Sequence, residues 1–353
     1  MKINIQKIFL VLACSVAGFS SIALAQPGAG RNSFEQVTDN IYRASNGFWH
    51  NLIYVTPEGI VLVDTLNPTF SSWLKSELDT RFPDLDVKYV IYSHSHFDHS
   101  EGGAVFADTA TFIAQKNMWK NLDGRYPHMP GDMIDRNGNG MMEEEEFRIP
   151  WDYSPGNCGY PWLGEKDTDG DGSLSMSEFF ADVVRPDIVY DEFMSLQIGG
   201  KTIELYYPGR NHGDDMTVTL FKDEGLIFNA DFLADALTQN TMHSLPSACG
   251  PFDGHTMDEW IESYKNVEAL DFDILTTGHG RPLRFTKQDV TDTRIYFEYL
   301  RDIVSEAIDQ GLTLEEMQET LLMEPYADWD QYEQLRDKNI EAAYRNLTEI
   351  YPQ

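Results

Sequence analysis

"YSHSHFDHSEGG", residues 92–103, sets three histidines and one aspartate within the six positions from His94 to His99. It follows directly on "VKYVI", residues 87–91, a β-branched run that reads as a strand. Imidazoles and a carboxylate crowded at a strand end point to metal chemistry. Neutral imidazole nitrogen and carboxylate oxygen suit Zn²⁺ best, with iron and manganese as competitors. A turn that projects His94 and His96 one way and Asp98 and His99 another divides them between two cations. Four-coordinate zinc needs more ligands than these residues supply, so distant parts of the chain must contribute.

Outward from the cluster, the pattern alternates between strands and helices. Upstream, "NLIYVT" and "GIVLVDT" are strands separated by the turn "PEG". "NPTFSSWLKSELDTRF" carries Phe70, Trp73, Leu74 and Leu78 at helical spacing, and Pro83 closes it. Downstream, "GGAVFADTATFIAQKNM" suggests a helix and a short strand. The stretch "IVYDEFMSLQIGGKTIELYYPG" reads as two strands around a "GG" turn, and "TVTLFKDEGLIFNAD" as a hairpin turning at "KDEG". Helices dominate after residue 255. Strands followed by helices, twice over, predict an α/β architecture in which two sheets are sandwiched between helices.

Composition narrows the function classes. The 353 residues carry 26 basic and 58 acidic side chains, a formal charge of −32. Polyphosphate and anionic membrane surfaces would be repelled, which excludes nucleic acid as a partner and leaves a small-molecule substrate. The first 25 residues read as an export signal: Lys2 and Lys7, the apolar "IFLVLACSVAGFSSIALA", and small residues before Gln26. A lipoprotein reading through Cys14 has too short an apolar stretch ahead of it. No other segment reaches the ~18 apolar residues of a membrane span. An exported chain is expected in the periplasm or outside the cell, where Cys158 and Cys249 are either one disulfide or two separate thiols. Oligomeric state is not written in the sequence.

The cluster and four further stretches resemble the metallo-β-lactamase-fold hydrolases. "HSHFDH" at 94–99 fits the HxHxDH signature, with "GG" at 102–103 just beyond. "YPGRNHGDDMTV" places His212, "GLIFNADFL" places Asp231, "TTGHG" places His279 and "GIVLVDTL" places Asp64, in the family's order. The resemblance implies the αββα fold of that family over residues 26–119 and 187–353. It implies one metal on His94, His96 and His212, a second on Asp98, His99 and His279, and Asp231 and a hydroxide bridging them. Asp98 would also orient the hydroxide and pass a proton to the leaving group, and Asp64 would be a buried acid supporting the ligands. Asp231 stands where one type of β-lactamase has cysteine and points toward lactonase-, thioesterase- or phosphodiesterase-like relatives. The extra acidic motifs of alkylsulfatase-like relatives are not found. Trp49, His50, His243 and His255 are named as candidate pocket residues.

Between these halves, residues 120–186 are rich in Gly, Pro, Asp and Glu and read as an insertion. "DRNGNGMMEEEE" at 135–146 and "DTDGDGSLSMSE" at 167–178 both fit the twelve-residue EF-hand loop. Asp135, Asn137, Asn139, Glu146 and the Met141 carbonyl are assigned to one Ca²⁺. Asp167, Asp169, Asp171, Glu178 and the Ser173 carbonyl are assigned to another. Three prolines between the loops leave no room for two full helices. Together these readings predict an exported dinuclear zinc hydrolase, cutting an ester, lactone, amide or related bond beside a calcium-ordered lid. Three alternatives stand beside it: activity on lactams, an iron-dependent persulfide dioxygenase-like enzyme, and a non-catalytic calcium-binding scaffold.

Overall fold

The computed structural model describes residues 32–47, 49–123, 141–142, 167–231, 243–246, 255–280 and 282–350. The predicted leader, most of the first predicted calcium loop and both Cys158 and Cys249 lie outside them. Two sheets pack together with helices outside, as the sequence predicts. The first sheet has seven strands. A meander of β1 (Asn32–Gln36), β2 (Ile41–Asn46), β3 (Trp49–Thr56) and β4 (Gly59–Val63) is antiparallel. It continues in parallel through β5 (Val87–Ile91), β6 (Thr111–Gln115) and an edge strand, Ile188–Tyr190. The second sheet begins as an antiparallel meander of Phe193–Ile198, Lys201–Tyr206, Val218–Phe221 and Leu226–Asn229. Its last strand, Ile274–Thr277, lies parallel to Leu226–Asn229.

The period-two alternation of side chains sorts the core. Leu52, Tyr54, Val61 and Val63 face one way and join Ile203, Leu205, Val218 and Phe228 of the second sheet. Ile53, Ile60 and Leu62 face the other way and meet Phe70, Leu74 and Leu78 of the helix Pro68–Arg81. That helix starts where predicted: the Asn67 side chain accepts from the Phe70 amide and Pro68 supplies the first turn. Trp73 is only half-buried on its flank.

Three local readings change. "GGAVF" is a single 3₁₀ turn, Gly103–Phe106, rather than a longer helix. "IVYDEFMSLQI" divides between sheets: Ile188–Tyr190 closes one edge of the first, and Phe193–Ile198 opens the second. The apolar run hides that change of sheet because both halves have strand-like composition. The predicted "GG" hairpin forms, with Gly199 and Gly200 at φ of 57° and 73°, the left-handed pair that a two-residue turn requires. A helix at Leu314–Thr320, capped by Thr313 and Glu316, adds to the three predicted in the C-terminal part. Among the described residues no helix is long and apolar enough to cross a membrane.

Leu74 is fully buried between helix and sheet. Leu74→Ala should therefore cost about 2–5 kcal/mol in urea unfolding, against less than about 0.5 kcal/mol for Ser76→Ala on the exposed face of the same helix.

Candidate metal centre

Strand ends deliver the site. The loop after β5 carries His94, His96, Asp98 and His99, the connection Tyr207–Thr217 carries His212, and Asp231 and His279 follow Leu226–Asn229 and Ile274–Thr277. Those last two strands pair Asn229 with Thr277, so Asp231 and His279 each stand two residues beyond a matched pair. Ligands of open α/β sheets collect outside such carboxyl ends.

The Asp231 carboxylate divides the seven side chains into two groups. Its Oδ2 lies 3.3 Å from His94 Nε2 and 3.3 Å from His212 Nε2. His212 Nε2 is 2.9 Å from His96 Nδ1. Its Oδ1 lies 3.1 Å from His99 Nε2 and 3.0 Å from His279 Nε2. His279 Nε2 is in turn 3.2 Å from both Asp98 Oδ2 and His99 Nε2. Atoms bound at about 2.0–2.2 Å to one tetrahedral ion stand roughly 3.3–3.6 Å apart, and the separations here, 2.9–3.3 Å, lie at or just below that range. Among the described residues His94 Nε2 is buried without a hydrogen-bond partner, as expected of an atom reserved for a cation. The donors fit a dinuclear metal site.

Protons compete for the same place. Burial opposes charge on His279, but Asp231 and Asp98 outweigh it and push its imidazole up to about 10. Burial likewise opposes charge on His99, and the carboxylates of Asp231, Asp98 and Asp64 hold it well above its ordinary value. A cation entering here displaces those protons, so its affinity rises with pH.

Asp64 is fully buried and serves three donors. Its Oδ1 accepts from the Ser93 amide at 2.7 Å. Its Oδ2 accepts from Ser93 Oγ at 2.8 Å and from His99 Nδ1 at 2.9 Å. The bond to Nδ1 leaves His99 Nε2 as a bare lone pair facing Asp231. Asp64 sits at φ 68° and Leu66 at φ 61°, a strained corner of about 1–3 kcal/mol per residue. It persists because the Asp64 amide is tied to Ile91 O, and those of Thr65 and Leu66 to His99 O. Ser93 was missed in the sequence, where a serine beside a histidine carries no signal of its own. The same holds for Asn121, which donates to Asp214 behind the ligand loop at 2.9 Å.

The other named residues separate. Trp49 stays half-buried at the rim, its backbone bridged to that of His279. His50 is no pocket wall: it is 3% exposed, and both ring nitrogens are engaged, with Ser45 and Gly280. His243 stacks on Trp329 and pairs with Asp292 at 2.8 Å, both in the C-terminal helical layer. His255 is buried, and its carbonyl accepts from Asn346. In the acidic loop, Asp167, Asp169 and Glu178 point oxygens at one another, whereas Asp171 turns to the Ser173 amide and hydroxyl. Asp135, Asn137, Asn139 and Glu146 lie outside the described residues.

Residues 49–117 match the family model described as "Metallo-beta-lactamase superfamily". Over that segment the chain is similar to this superfamily, and its two sheets flanked by helices match a metallo-beta-lactamase fold. Its similarity to a curated protein, the 2,4-dinitroanisole O-demethylase subunit alpha of Nocardioides sp. (strain JS1661), is 22% identity over 246 residues, 69% of this chain and 56% of that one. In structure the chain is similar to the stereoselective inverting sec-alkylsulfatase Pisa1 from Pseudomonas sp. The TM-score is 0.59 at 14% identity, over 91% of this chain and 51% of the other. A double mutant of that enzyme superposes with a TM-score of 0.58 at 15% identity and the same coverage. The chain therefore spans only about half the length of the proteins it matches, and at such identity the structures establish the fold alone.

Asp64→Asn keeps the size of the acid and removes the charge that fixes His99. It should weaken metal binding about 10–100-fold, measured by chelator competition on the intact chain.

Proposed function

We propose that the chain is a dinuclear zinc hydrolase acting on an ester-type bond to oxygen. The observation that carries this reading is the division of Asp231, with Oδ2 facing His94 and His212 and Oδ1 facing His99 and His279. Five imidazoles, with oxygen only from the carboxylates of Asp98 and Asp231, suit zinc. His94, His96, His212 and Asp231 would hold one ion; Asp98, His99, His279 and Asp231 would hold the other. Ions bound there supply water acidified to near neutral pH and a Lewis acid for the developing oxyanion. Asp98, whose side chain keeps 12% exposure, faces the open side and is placed to orient water and carry a proton to the leaving group. His99 and His279 are held neutral once cations replace their protons.

The bond type draws on the relatives. One is named for removing a methyl group from oxygen and one for cleaving alkyl sulfates, and both release an oxygen-bearing product. Carboxylic esters, lactones, sulfate esters and activated aryl ethers are therefore the substrates to test first, with lactams as the contrast. A panel of these with wild type and His96→Ala should show turnover that the variant reduces by at least about a hundredfold. Equal turnover by both would assign it to a contaminant. Protein purified without added metal should carry two zinc ions per chain; a single iron would favour the persulfide dioxygenase-like reading.

A second reading concerns calcium: we propose that the acidic loops bind it and order the insertion beside the site, in an exported protein. Its support is a short ribbon in which Met141 pairs with Ser175 and Met142 with Leu174. Counted from Asp135 and Asp167, Met142 and Leu174 are both eighth in their loops, so the ribbon joins the loops symmetrically. Hydrogen bonds from Thr168 and then Ser175 bring Glu178 down to about 2, so it stays a carboxylate. The chain leaving this loop runs straight to the metal site. Phe179 and Phe180 are buried with Phe106 and Phe112, Val183 bridges Glu101, and the Gly102 amide donates to Asp182 O at 3.1 Å. Calorimetry should give calcium affinity of about 10⁻⁴–10⁻³ M. Glu178→Gln should weaken it and lower the melting temperature in calcium while leaving zinc content unchanged; no calcium heat in wild type would refute the reading.

A further inference from the structure

Metal-bound histidines are ordinarily aimed by a carboxylate or carbonyl on the nitrogen that does not face the metal. His99 has Asp64 in that role, and His94 Nδ1 lies 3.0 Å from Ser93 Oγ. His279 Nδ1 is buried and has no such partner among the described residues. Something else must aim its Nε2 between Asp98 and Asp231. The backbone on both sides of His279 is held by one residue of the opposite sheet: the His50 amide donates to Gly278 O at 2.8 Å, and the His50 ring donates from Nε2 to Gly280 O. Trp49 completes the contact through an isolated antiparallel bridge to His279.

The ring is itself fixed. Gly280 O can only accept, so Nε2 carries the hydrogen and Nδ1 must accept from Ser45 Oγ, 2.7 Å away. Ser45 is the cross-strand neighbour of His50, so one rung of the first sheet sets the tautomer. Burial, reinforced by the charge of Arg43, lowers the imidazole to about 3, and it stays neutral throughout the working range. The clamped turn has little slack. A methyl group on Gly278 would come within 2.6 Å of His99 Cε1, and Gly280 stands at φ 95°. His50 therefore reaches His279 through the backbone alone.

We propose that His50 is a positioning residue for the cation held by Asp98, His99 and His279, acting on His279 through the carbonyls of Gly278 and Gly280. This rests on the dinuclear reading above. It assigns His50 no contact with substrate, and it separates the two cations: the one on His94, His96 and His212 does not depend on the clamp.

Zinc titration of the metal-stripped full chain, followed by calorimetry with Co²⁺ absorption as a second signal, tests it. Wild type should take two ions, and fewer than two would remove the dinuclear reading and this proposal with it. With two ions in wild type, His50→Ala should bind the first unchanged and the second about 10–100-fold more weakly. His50→Gln, which keeps a side-chain amide donor, should recover most of the loss. Equal weakening of both ions with a lower melting temperature of the metal-free protein would mark His50 as merely structural and overturn the proposal. So would two unchanged affinities. Should His50→Ala fail to fold, Ser45→Ala carries the test: freeing the tautomer must weaken the second ion alone, and any other pattern overturns the assignment.

Discussion

Two carboxylates and five imidazoles share one buried volume, and no packing argument makes that comfortable without positive charge at its centre. Removing such groups from water costs several kcal/mol per ion unless they are paired. Asp231 settles the arrangement by presenting one oxygen to each side, so that a single residue sets the spacing of both groups. The surrounding structure is then explicable as support. Asp64 and Ser93 lock the ligand loop from the first sheet, while His50 and Trp49 reach across to hold the second.

How much of this could be read from the chain depends on what the chemistry demands of side chains. His94, His96, Asp98, His99, His212, Asp231 and His279 were legible because coordination tolerates few residue types and the strands fix their spacing. Asp64 was legible for the same reason, through the strand it ends. His50 was noticed for the wrong reason: as a histidine it suggested a pocket, whereas its work is done on backbone carbonyls 228 and 230 residues away in sequence. Carbonyls leave no trace in a sequence pattern. The two-sheet architecture followed from alternation, yet Ile188–Tyr190 was assigned to the neighbouring hairpin because composition does not record which sheet a strand joins.

The relatives narrow chemistry less than fold. An O-demethylase subunit is similar in sequence at 22% identity and a sec-alkylsulfatase is similar in fold at 14%, and this chain covers only 56% and 51% of them. Under the proposed reading the donors would act on water and oxyanion rather than on the remainder of a substrate, which leaves several leaving groups open. The net charge of −32 adds a bias: highly anionic substrates meet a repulsive field before they reach the His/Asp cluster.

Asp231 and His279 each follow the registered pair Asn229–Thr277 by two residues. Their height above the sheet is thus counted out in residues, like rungs on two ladders standing side by side. A single residue gained or lost in either count would shift one ligand by about 3.3 Å and turn it to the opposite face. Selection can rewrite the chemistry of such a centre by exchanging letters, but it has almost no freedom to change the length of the text.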